Sequence, residues 1–187
     1  MGRFMNHKKW MAVIALAVTA LILTHLPVSE ADAAASASDF QTQGSTLVKY
    51  RGTEERVTIP DTVEVVGESA FENNQKVQFV VIPKSVKRLD AYVFWGCNNL
   101  EEVVLGKGLT AVDEYSFAGC TGLKQITIPE NIQSIDAQAF AGCVNLTDIY
   151  IPATVTGIAE DAFLNCDNVT IHADEGSVAA QFSQKLA

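Results

Sequence analysis

Cys97, Cys120, Cys143 and Cys166 are the residues of this sequence best suited to chemistry, and each lies 23 positions from the next. An even set of cysteines behind an export signal suits disulfides, and thiolates also ligate zinc. Zinc sites draw close pairs such as Cys-x-x-Cys from one turn, and none occurs here. A constant spacing instead sets one thiol at the same place on successive stacked turns, with Asn74 holding that place one period earlier. Stacked strands lie roughly 4.8 Å apart, near enough for neighbouring cysteines to be bridged if their side chains point suitably. Buried structural thiols are the preferred reading, since burial is the usual fate of free cysteine. Disulfides and then a metal site are the alternatives.

Other chemistry is poorly supplied. Beyond residue 33 the sequence keeps a single histidine, His172, which falls after the regular repeats. There is no Gly-x-Ser-x-Gly elbow, phosphate-cradling glycine loop or His-Glu-x-x-His helix motif. The acid pairs Glu54-Glu55, Glu101-Glu102, Asp113-Glu114 and Glu160-Asp161 have the composition of a hydrolase dyad. In a repeat they more simply solvate exposed positions. The expectation is a protein that is not an enzyme, with no catalytic residue, metal or cofactor.

The elements that position the cysteines follow the same spacing. Phe71, Phe94, Phe117, Phe140 and Phe163 are 23 apart, as are Val63, Val86, Leu109, Ile132 and Val155. Val57, Val80, Val103, Ile126 and Ile149 form a third column, and Ile59, Ile82, Leu105, Ile128 and Ile151 a fourth. Two more begin at Val66 and Val77. A unit this short cannot bury its own apolar residues, so units must stack like on like into a solenoid with one continuous core. Ile126 and Ile128 flank one polar residue, the period of a strand with one buried face. Pro60, Pro83, Pro129 and Pro152 close these strands, and Gly106 replaces proline in one unit.

Runs such as Leu123-Lys-Gln-Ile-Thr-Ile-Pro-Glu-Asn-Ile-Gln-Ser-Ile-Asp-Ala-Gln-Ala-Phe-Ala-Gly-Cys143 resemble the BspA-like type of bacterial leucine-rich repeat. The resemblance implies a mainly β leucine-rich-repeat solenoid of about five units over residues 54–171. It also implies export or surface display, and adhesion to host proteins or other cells as the kind of work such a chain does.

Both ends read as caps. Residues 40–53 suit a hairpin of two extended pieces around Gly44, covering the first rung. In the C-terminal cap, residues 172–187, Val178, Ala179, Phe182 and Leu186 fit one face of a short helix with Ser177 at its N-cap. The linker 34–39 is small and polar and is expected to be disordered.

Arg3, Lys8 and Lys9, the apolar run Trp10 to Leu26, and Ala31-Asp32-Ala33 have the order of a secretory signal, residues 1–33, cleaved after Ala33. A retained signal-anchor is the alternative. Cleavage takes three of the 13 Lys and Arg and two of the 22 Asp and Glu, leaving 10 basic against 20 acidic side chains and a net charge of about −10. Without a basic cluster, nucleic acid is a poor partner, and membrane contact is expected only through the signal segment. The acidity itself serves solubility, or forms an acidic binding patch.

The surface best placed to bind is the outer face of the stacked strands. Its central row is Thr58, Val81, Val104, Thr127 and Tyr150, and a flanking row is Arg56, Phe79, Glu102, Gln125 and Asp148. Phe79, Val81 and Val104 are apolar at positions expected to face water, with Tyr150 farther along. A contact surface and plain β-propensity account for them equally well. Phe79, Val81, Glu102, Val104, Thr127 and Tyr150 are therefore the candidate partner-binding residues. Such a strip spans on the order of 250 Å², short of the roughly 800 Å² per partner in a standard interface. The function expected is a secreted or cell-surface module that binds protein or peptide, monomeric or weakly self-associating. The alternative is a structural or assembly component of the bacterial envelope.

Overall fold

A peptide that turns back on itself every 23 residues must pair each strand with the copy one turn on, and the backbone does so. In the computed structural model, which describes residues 35–186, the chain forms a mainly β solenoid of about six turns. The expected signal segment and its cleavage site lie outside the described residues. The front wall is built from β3 (Arg56–Thr58), β5 (Phe79–Val81), β7 (Glu102–Val104), β9 (Gln125–Thr127), β11 (Asp148–Ile151) and β13 (Thr170–Ala173). The back wall uses the two-residue strands β4 (Val65–Val66), β6 (Arg88–Leu89), β8 (Ala111–Val112), β10 (Ser134–Ile135) and β12 (Gly157–Ile158). Pairing is parallel and in register, as in Val57 with Val80 and Val80 with Val103. The front ladder falls into β3-β5-β7 and β9-β11-β13.

Between the walls the phenylalanine column forms one stack. Ring centroids are 4.9 Å apart for Phe71 and Phe94, 5.3 Å for Phe94 and Phe117, 5.4 Å for Phe117 and Phe140, and 5.3 Å for Phe140 and Phe163. The rings are buried because no single turn encloses them; each is covered by its neighbours above and below.

The caps extend this stack. The hairpin of β1 (Phe40–Gln43) and β2 (Thr46–Tyr50) pairs through β2 with β4, joining the back wall. Phe40 lies 5.1 Å from Tyr50, and Tyr50 lies 4.8 Å from Phe71. At the other end α1 (Val178–Leu186) sets Phe182 5.9 Å from Phe163. Ser177 caps this helix, its Oγ accepting the Ala180 amide at 3.1 Å.

Within the expected linker, Ala37–Asp39 makes a turn of 3-10 helix with a capping box, the Ser36 amide donating to Asp39 Oδ2 at 2.8 Å. One expectation changes. His172 does not fall beyond the repeats, because it belongs to β13 and pairs with Tyr150. The register step from β9 to β11 is 23 residues, Gln125 with Asp148, whereas from β11 to β13 it is 22, Asp148 with Thr170. A one-residue deletion hides the last rung from a strict periodicity.

Candidate binding surface

Valine, isoleucine and threonine favour strands, and in each three-residue front strand the middle residue faces the core while both flanks face outward. Pairing then sets Phe79 beside Glu102 and Val81 beside Val104. Four of the six candidate residues thus share one area of the front wall. Thr127 and Tyr150 are paired with each other on the second ladder.

The candidates differ in exposure. Phe79, Val81, Glu102, Val104 and Thr127 are half-buried, while Thr58, Arg56 and Gln125 around them are exposed. The Arg56 guanidinium stands 4.5 Å over the centroid of the Phe79 ring, a cation–π contact that covers part of its face.

Tyr150 is a correction. It was expected to face water, but only 3 % of it is accessible. Burial, then the carboxylates of Asp174 and Glu130, push its phenol up to about 12. Tyr150 lies beside His172 of β13 and near Asp174 just beyond it, and it offers no surface to a partner. Beside it His172 Nε2 lies 2.8 Å from Asp148 Oδ1, which ties the last two front strands together.

The cysteines are free and buried. Each thiol lies against the carbonyl of the phenylalanine 26 residues earlier: Cys97 on Phe71 at 3.1 Å, Cys120 on Phe94 at 3.2 Å, Cys143 on Phe117 at 3.1 Å and Cys166 on Phe140 at 3.0 Å. Burial pushes the Cys97 thiol up to about 12 and raises the other three as well. A thiol held protonated is neither nucleophile nor ligand. Among the described residues no group of three or more His, Cys, Asp or Glu side chains is placed to hold a metal ion.

Sequence reasoning passed over the turns that follow the back wall. Tyr92 and Tyr115 stack there with centroids 4.6 Å apart, and Trp95 meets Tyr92 edge-on at 6.5 Å. The signal was present, since the two tyrosines are themselves 23 residues apart.

A family model described as a BspA type leucine rich repeat region matches residues 49–170 in six copies. No curated protein matches. Among solved structures, a leucine rich cell surface protein from Faecalibacterium prausnitzii is 34% identical with a TM-score of 0.69, over 74% of this chain and 37% of that one. A leucine rich repeat protein of T. pallidum is 26% identical with a TM-score of 0.71, over 74% of this chain and 71% of that one. The pneumococcal vaccine antigen PcpA is 16% identical with a TM-score of 0.61, over 73% of this chain and 35% of that one, and shares the fold. The chain thus spans little more than a third of the F. prausnitzii protein. With the 23-residue coil, the stacked phenylalanines and the matched repeats agreeing, the chain belongs to the BspA-type leucine-rich-repeat family.

Proposed function

We propose that the chain is a secreted or cell-surface module that binds protein or peptide through its front wall. The observation that carries this reading is the row Phe79, Val81 and Val104, half-buried apolar side chains held side by side at strand pitch and bordered by Arg56 and Glu102. Rigid strands present such a row without an ordering cost on binding, which favours association. Thr127 extends it toward the second ladder; Tyr150 is withdrawn from the site.

Three further points support the reading. Repeats of this family are generally non-catalytic binding modules. A solved relative is described as a cell surface protein. The caps cover both ends of the phenylalanine stack, Tyr50 against Phe71 and Phe182 against Phe163, which disfavours an envelope-scaffold role through end-to-end growth of the core. Export would end in cleavage after Ala33, and the strip's small area calls for help from adjacent loops or from several copies.

The test is capture from envelope and host-matrix extracts by the full chain and by a Phe79→Ser/Val104→Ser variant. A partner held only by the unsubstituted chain supports the front wall, and equal capture by both overturns it.

A further inference from the structure

Four successive coils make a left-handed turn two residues before their phenylalanine, with φ of 57° at Ser69, 60° at Tyr92, 54° at Tyr115 and 51° at Gln138. The turn thus accepts serine or glutamine, so nothing in the backbone calls for an aromatic ring. Two consecutive coils nevertheless carry tyrosine there. The rings lie nearly parallel, 9° between planes, and Trp95 stands at 87° to Tyr92 to form an aromatic corner. Trp95 is 41 % exposed and both tyrosines are half-buried.

The surroundings are acidic. Asp90, Asp113 and Asp136 form a column two residues before these turns, and Glu114 adjoins Tyr115 in sequence. Glu114 and Glu68 lie close enough to Tyr92 to help raise its phenol, after burial and Tyr115. Two basic groups stand nearby and both are engaged: Arg88 pairs with Asp90 at 2.6 Å, and Lys49 Nζ donates to the Ser69 carbonyl at 2.8 Å on the coil before. Aromatic faces carry negative potential, and with carboxylates around them they attract cations and repel anions.

We propose that Tyr92, Trp95 and Tyr115, bordered by Glu68 and Glu114, form a second docking site that takes the cationic side chains of a lysine- or arginine-rich protein segment. Charge complementarity selects this occupant: the chain carries a net charge of −9, and carboxylates adjoin an aromatic corner whose Trp95 is exposed. The site lies on the turns after the back wall, so it does not depend on the front-wall reading.

The test uses the full chain with Trp10→Phe, which leaves Trp95 as the single indole. A short lysine- and arginine-rich peptide, a glutamine-rich peptide of equal length and a neutral oligosaccharide are titrated by calorimetry and by Trp95 emission. The basic peptide alone is expected to bind, more weakly as salt rises. Tyr92→Asn/Tyr115→Asn should lower its affinity roughly tenfold. Asparagine already takes the left-handed conformation at Asn73 and Asn165, so this variant keeps the fold. Phe79→Ser should leave the basic peptide's affinity unchanged. No heat and no emission change with the basic peptide, equal binding by the Asn variant, or binding of the oligosaccharide alone overturns the proposal.

Discussion

The Sγ of Cys120 lies 3.2 Å from the carbonyl oxygen of Phe94, and the same pairing recurs on the coils before and after it. The thiol fills the space beside the phenylalanine stack and gives that carbonyl a second donor, since the Cys97 amide already reaches it at 3.1 Å. Cysteine suits this place as a small, buried, weakly polar side chain.

The thiols should therefore be silent in the native state. Iodoacetamide at neutral pH is expected to leave all four unlabelled, and unfolding in denaturant to expose four reactive groups. A reducing agent should not move the melting temperature. Rapid native labelling, or loss of stability on reduction, would contradict the packing role.

Removing a ring from the middle of the stack should cost more than removing one at its end. Phe117→Ala is expected to lose about 3–5 kcal/mol in urea unfolding, because rings on both sides enclose the cavity. Phe182→Ala should lose less, since its tilted ring stacks on Phe163 alone.

Asp113 should make the fold more stable as the solution is mildly acidified. Burial first, then Asp136 and Asp90, raise its carboxyl to about 6 from an ordinary 3.8, against lowering by a backbone hydrogen bond at Leu89 and by Arg88. Between these values the folded state binds more proton than the unfolded one. This group's contribution to stability therefore falls as pH rises through the window, and above about 6 it opposes folding. Asp113→Asn is expected to raise the melting temperature at neutral pH and to flatten this slope; a lower melting temperature at neutral pH would contradict it.

Ser177→Ala should cost about 1 kcal/mol by removing the cap of α1. Because α1 carries Phe182 onto the last rung, hydrogen exchange should quicken in β13 (Thr170–Ala173) before it does in β5 (Phe79–Val81). Uniform acceleration along the solenoid would argue against a local cap.

The repeat was legible because stacking demands like residues at like places, so the phenylalanine, cysteine and aliphatic columns all report one geometry. The last rung was not, because its step shortens to 22 residues and slides His172 and Thr170 out of column. Tyr150 was misjudged for a related reason. Strand alternation assigns it to the outside, but only the tertiary path beyond β13 brings Asp174 against it. The turn tyrosines were missed because neither their left-handed backbone nor the corner they make with Trp95 follows from hydrophobic periodicity.

The front wall as the partner surface is tested most directly by site-specific photo-crosslinking on intact cells. A photoreactive residue replaces Gln125, exposed on the front wall, and in a separate variant Gln133, exposed beside the back wall. A discrete adduct is expected from position 125 and none from 133. Adducts from 133 alone, equal adducts from both, or none from either would contradict it.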